Sequence, residues 1–316
     1  GDQSAPDRRI QADLSGDVTA LILSQYREFF GPDVALTLDA LVQADGGIDV
    51  SDFALKTQSA DLQGKITLNS DKWPSLIDIT GTVAAADGSR VLLPVAGAST
   101  YVQRVALDVN YDAGSGETLD ATFDVTGLAT DALAIENAQL NLDGTLQGRA
   151  GTVGEFNGDL VFATKGLTLT NAAISEALGD TLNGRANIAY VEGTPTKITG
   201  LDLSGTDYGL AGDVTISGPA ENFLTQLQAR LEATDISRFS ALAGRELDGA
   251  ANVDLSGQVV PLDGTFDLRI AGLTRDLKVG IEQADTLLAG ETNLSLGAVR
   301  DETGTFIRDL SLENAA

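Results

Sequence analysis

From Val34 onward, apolar residues recur at every second position in short bursts, the period of a strand with one face turned to an apolar interior. Ile66 and Leu68 alternate with Lys65 and Thr67; Val105, Leu107, Val109 and Tyr111 alternate with Ala106, Asp108 and Asn110; Phe266, Leu268 and Ile270 alternate with Asp267 and Arg269. Each burst predicts a strand with one oily and one wet face. Gly, Asn and Asp punctuate the bursts, as at Asp45-Gly46-Gly47, Asp87-Gly88, Gly114-Ser115-Gly116 and Asp263-Gly264, where residues that tolerate positive φ close turns.

The chain is also self-similar. Phe53 to Leu68 and Leu201 to Ile216 align without a gap: Phe53 and Leu55 match Leu201 and Leu203, then Leu62, Gly64, Ile66 and Leu68 match Leu210, Gly212, Val214 and Ile216. A looser copy ends in Leu288-Ala289-Gly290 and Leu294, and Leu-x-Gly recurs at Leu182, Leu247 and Leu262. The irregular spacing predicts a degenerate stack of hairpins, not a short-period β-helix.

Helical signals are few. Ser15 to Phe30 offers a cap at Ser15 or Asp17 and apolar residues at Val18, Leu21, Ile22, Tyr26 and Phe29, a helical face that stops at Gly31-Pro32. Shorter candidates are Ala220 to Leu231 and Ile236 to Leu247. The expected organisation is a flanking segment over 1–32 with an amphipathic helix, then a continuous sheet scaffold over 33–316.

Composition narrows the chemistry. The 316 residues are 43% hydrophobic, enough for a core, but only 5% aromatic, with 35 glycines, a balance that favours many turns over bulky packing. With 46 acidic and 20 basic residues the formal charge is -26, a field that opposes nucleic acid and anionic membrane surfaces and keeps an apolar-rich chain soluble. His, Cys and Met are absent, so Ser-His-Asp triads, Cys nucleophiles and the usual zinc sites cannot be built.

Carboxylates such as Asp108, Asp124, Asp254 and Asp267 fall at outward strand positions and read as a solvated face. There is no Walker A or Gly-x-Gly-x-x-Gly motif; the Gly148 to Gly154 stretch reads as turn material. Asp108-x-Asn110-x-Asp112 opens like an EF-hand loop, but Ala113 stands at its obligatory Gly position and Leu119 at its bidentate Glu position. Trp73, before Pro74, reads as a loop anchor. No enzyme, cofactor or metal is expected. The longest apolar stretch, Val91 to Ala98, is interrupted by Pro94, and the lack of an initiator Met or a leader leads us to expect an interior piece of a longer polypeptide.

Several stretches resemble the interior of the TamB family, the large periplasmic subunit of the translocation and assembly module of Gram-negative bacteria, within the wider AsmA-like group. They are Phe29-Phe30-Gly31-Pro32-Asp33, Gly88 to Pro94 (GSRVLLP), Asp235 to Leu247 (DISRFSALAGREL) continuing to Gly249, Leu287-Leu288-Ala289-Gly290, and Arg300-Asp301-Glu302-Thr303-Gly304. The likeness covers most of the chain from about residue 20 onward, though each motif is weak alone.

The resemblance implies an all-β fold: an elongated, U-shaped (β-taco-like) sheet of many short, mostly antiparallel strands around an apolar groove, with a few short helices. It implies a periplasmic location, with the full-length protein anchored in the inner membrane. Two roles follow, conduction of phospholipid toward the outer membrane and assistance to an Omp85-type partner in inserting barrel proteins. The parts of such proteins that meet that partner are expected to lie outside this chain. An extracellular β-solenoid adhesin is a third reading, prompted by the acidic, Gly-rich composition.

Under the resemblance, phospholipid acyl chains would lie against Ile66, Leu68, Val105, Leu107, Val109, Leu203, Val214, Ile216, Leu268, Ile270, Val279 and Ile281. Periodicity alone leaves a second reading of these residues open, an ordinary closed core between two sheets.

Overall fold

A computed structural model describes residues 6–95, 97–148, 153–260 and 264–314. Residues 149–152 of the predicted Gly148–Gly154 turn, and Leu262 and Asp263, lie outside them. Strand accounts for 62% of the described residues and helix for 12%, so cross-strand hydrogen bonding carries the fold. Among the described residues the sheet is open and antiparallel, with twenty strands, and does not close into a barrel. The chain divides into two units, Gly1–Gly166 and Leu167–Ala316.

In the first unit β1 (Arg8–Gly16), β2 (Val34–Val42), β3 (Ile48–Lys56), β4 (Ala60–Leu68) and β5 (Pro74–Ala84) pair in sequence order. A short hairpin of β6 (Val91–Leu92) and β7 (Tyr101–Val102) follows. The ladder then resumes from β5 to β8 (Arg104–Asp112), β9 (Thr118–Ala129), β10 (Leu133–Gln147) and β11 (Glu155–Lys165).

The register turns alternation into rows. Residues directly opposite one another share a face, and following the pairs gives Leu14–Leu36–Leu55–Leu62–Gly81–Leu107–Phe123–Leu140–Phe162 across nine strands. The next row reads Ala12–Leu38–Phe53–Gly64–Ile79–Val109–Ala121–Leu142–Leu160. At about 4.8 Å per strand, each row runs about 38 Å.

The second unit begins with β12 (Thr168–Leu169) and α2 (Ala172–Leu178), α1 being the single turn Arg27–Phe30 before β2. Then β13 (Thr181–Val191), β14 (Thr196–Ser204), β15 (Tyr208–Ile216), β16 (Thr225–Ala233), β17 (Asp248–Val260), β18 (Thr265–Lys278), β19 (Glu291–Asp301) and β20 (Gly304–Asn314) pair consecutively. The rows recur as Leu203–Leu210–Leu231–Val253–Gly272–Leu294–Leu312 and Ile198–Val214–Leu227–Gly257–Leu268–Ala298–Ile307. The two self-similar segments occupy equivalent places: Phe53 opposes Gly64 and Leu55 opposes Leu62, as Leu201 opposes Gly212 and Leu203 opposes Leu210.

Within each unit the longest connectors lie at one end of the strands, which the short turns 57–59, 130–132 and 205–207 share. Tight turns such as 43–47, 69–73 and 192–195 close one end of the strands; longer connectors with helical turns, including α1, α3 (Ser240–Ala243) and α4 (Glu282–Leu287), fold over the other. The cores lie under those connectors. One gathers Phe29, Ala60, Val83, Val91 and Val102; the other gathers Ala233, Ile236, Leu277 and Leu288. Away from them, Leu36, Leu55, Leu107, Phe123, Leu140 and Phe162 stay half-buried, as suits a face with no layer packed on it. Trp73 anchors its loop as expected, its indole filling the space beside Gly148 and Gly154.

Three predicted helices need correction. Ser15 and Gly16 end β1, and only the turns Thr19–Leu21 and Ser24–Tyr26 and α1 remain of the Ser15–Phe30 helix. The flanking segment thus contributes a sheet strand, because Ile10, Ala12 and Leu14 continue the rows of β2. Ala220–Leu231 is a 3-10 turn at Pro219–Glu221 followed by β16, and Ile236–Leu247 keeps only a 3-10 turn and α3. No helix among the described residues is long and apolar enough to cross a membrane.

Candidate functional site

The inner rows of the first unit enclose an apolar groove of about 730 Å³, a size typical of ligand sites. Leu62 of β4, Val83 of β5, Val105 and Leu107 of β8, Phe123 and Val125 of β9, Leu140 of β10 and Phe162 of β11 line it, so the sheet curves around the space. Phe29, Leu93, Pro94, Val95 and Val102 from the connectors close one end, and Thr164 is the only polar residue in the lining. The hydroxyl of Thr57 and the backbone N–H of Ser59 donate to the Phe29 carbonyl at 3.0 and 3.2 Å, which fixes that end wall.

Ten of the twelve sequence-predicted lining residues fall on the inner face. Ile66 and Leu68 lie on β4, Val105, Leu107 and Val109 on β8, Leu203 on β14, Val214 and Ile216 on β15, and Leu268 and Ile270 on β18. Val105 and Leu107 line the groove itself. Val279 and Ile281 are not strand members: β18 ends at Lys278, Gly280 adopts φ +72°, Val279 packs in the connector core, and Ile281, 44% exposed, precedes α4. The sequence reading passed over Phe123, Val125, Leu140 and Phe162, although Leu119, Ala121, Phe123 and Val125 alternate as clearly as β8 does.

The opposite face carries the charge. Arg185 and Asp202, Arg230 and Asp254, and Arg275 and Glu291 stand opposite one another on adjacent strands, with N–O distances of 2.7, 2.8 and 2.6 Å. The hydrogen bond from Arg230 holds the Asp254 carboxyl below the ordinary aspartate range. Such exposed pairs contribute little stability each; their geometry keeps the wet face in register. Asp120, Asp143 and Asp159 instead oppose one another on β9, β10 and β11. Asp143 is raised above the ordinary range, first by its side-chain hydrogen bond with Asp120, then by desolvation and by the charges of Asp120 and Asp159.

In the EF-hand-like run, the Asn110 amide donates to Asp108 and the Asp112 carboxylate accepts from the Gly114 N–H at 2.7 Å. No cluster that could hold a metal occurs among the described residues.

Fold and site together define, in the first unit, a hydrocarbon groove on one face of the antiparallel sheet and, in the second unit, charge pairs on the face opposite its apolar rows. No protein-family model, curated protein or solved structure gives a significant match to the chain.

Proposed function

We propose that this chain is a non-catalytic scaffold whose inner sheet face holds phospholipid acyl chains and conducts phospholipid between the inner and outer membranes, in the periplasm, as the TamB likeness implies. One observation carries the reading: a groove of about 730 Å³ walled by aliphatic and phenyl side chains, with one threonine and no ionisable group. Such a wall offers an acyl chain about 0.8 kcal/mol per buried methylene, while headgroups stay in water.

The test is native mass spectrometry of protein purified from bacterial membranes under mild conditions. Copurifying phospholipid is expected; a lipid-free spectrum would contradict the proposal. The alternative, a chaperone-like scaffold for barrel proteins, is favoured by one feature. The strands β1 and β20 each have a neighbour on one side only among the described residues, with Ile10, Leu14, Ile307 and Leu310 exposed there. Barrel-protein segments copurifying in place of lipid would favour it.

A further inference from the structure

Trp73 is the single tryptophan of the chain. Asn69 fixes its backbone twice, the Asn69 N–H donating to the Trp73 carbonyl at 2.9 Å and the Asn69 side-chain oxygen accepting from the Trp73 N–H at 3.0 Å. From this turn between β4 and β5 the indole reaches Gly148, just after β10, and Gly154, just before β11. Both positions continue the inward, even-numbered series of their strands, Leu142 and Leu146 on β10 and Phe156 and Leu160 on β11, so the ring lies on the inner face. Along the pairing order β5, β8, β9, β10, β11 the two glycines stand three and four strand spacings from Trp73, about 14 and 19 Å on a flat ladder. Contact with both requires the ladder to curl inward. The Tyr111 hydroxyl on β8, which donates across β9 to the Leu146 carbonyl of β10 at 2.6 Å, follows the same curl.

We infer that Trp73 is a positioning residue for the groove: seated against Gly148 and Gly154, it latches the curled sheet at the width that grips a hydrocarbon chain; this rests on the reading of the groove as a lipid site. The groove is lined from Leu62 of β4 round to Phe162 of β11, and the latch joins those same two flanks of the arc. Both flanks touch one chain only while the arc stays closed. Trp73 itself lies outside the lining, so it acts on the groove through the sheet. Its seat is made by the two glycines, since a Cβ at Gly148 would overlap the pyrrole ring and one at Gly154 would collide with the benzene ring. Stability alone would not favour that seat: Nε1 is shut off from water with no acceptor among the described residues, and a buried N–H left unpaired costs folding free energy.

The experiment uses the full 316-residue chain, which holds no cysteine, with one acrylodan label at Thr164→Cys in the groove wall. Lauroyl-lysophosphatidylcholine is titrated against this parent and against parents that also carry Gly148→Ala, Trp73→Ala, Trp73→Phe or Ile236→Ala, below the melting temperature of each. Ile236 is buried in the core of the second unit and controls for general loss of stability. Gly148→Ala is expected to expel the indole, shift Trp73 emission to longer wavelength and weaken binding about tenfold, as when roughly two methylenes' worth of wall recedes. Trp73→Ala is expected to weaken binding as much. Trp73→Phe, which keeps a ring in the seat, is expected to stay within about twofold of the parent, and Ile236→Ala to melt earlier but bind as the parent does. Parent-strength binding by both Gly148→Ala and Trp73→Ala, or an equal loss in Ile236→Ala, overturns the positioning role and leaves the groove standing. Absence of any acrylodan response to lipid in the parent overturns the groove reading, and the positioning role with it.

Discussion

Asp143 faces Asp120 on one neighbouring strand and Asp159 on the other, so three carboxylates line up across the wet face of the first unit, whereas strands of the second unit carry Arg–Asp pairs. A carboxyl whose folded pKa is raised contributes stability that is full below its unfolded value, near 3.9, and is lost as pH rises through the folded value. At neutral pH the row therefore opposes folding. Asp143→Asn should raise the melting temperature at pH 7, and that advantage should vanish near pH 3.5, where the wild-type carboxyl is largely protonated in both states. Thermal melts of both proteins at the two pH values check this, and an advantage that persists in acid would mean that like-charge repulsion is not its cause.

At the residue scale this much was legible in sequence. Val105, Leu107 and Val109 on one side and Asp108 and Asn110 on the other assign β8 its two faces without any structure. The mutual opposition of Asp120, Asp143 and Asp159 was not legible, because it depends on which strands pair and in what register.

Among elements, the Leu-x-Gly phrase takes on a physical meaning that the sequence did not disclose. It reads as punctuation between strands, yet Gly64 of Leu62-Gln63-Gly64 and Gly257 of Leu255-Ser256-Gly257 sit in mid-strand on the inner rows at φ +158° and +143°, as do Gly81 and Gly272 of the related Ile-x-Gly at +156° and +157°. Gly81 lies between Leu62 and Leu107, and a Cβ there would collide with the carbonyl oxygen of Asp61. Bends of this kind let a flat ladder curve around a groove. Gly81→Ala should cost about 1–3 kcal/mol, read from urea unfolding. Gly218→Ala, at φ -74° with open space beside it, should be neutral or slightly stabilising. Equal costs for the two would remove the case for a glycine bend.

The misread elements have the same origin, local preference overridden by pairing. Thr225–Ala233 is rich in helix formers, but Leu227, Ala229, Leu231 and Ala233 all meet inner residues of β15 and β17, and period-two burial wins. In Ser15–Phe30 the helical spacing was real over too few residues, since Ser15 and Gly16 were already bonded to Ala35 and Val34.

For the whole molecule, the division of labour is by face. Hydrophobic residues make up 43% of the chain, yet the cores lie mainly under the connectors, and the long rows are left half-buried. A formal net charge of -26 over the whole chain keeps copies with so much exposed hydrocarbon apart. The central claim is that the inner face is open to lipid and the outer face is not. It is tested most directly by placing a photoactivatable benzophenone side chain at Leu107 and, separately, at Asp108, and irradiating each protein with phospholipid vesicles. Lipid adducts at 107 and none at 108 are predicted. Adducts at both positions alike, or none at 107 in a folded protein, would contradict the account.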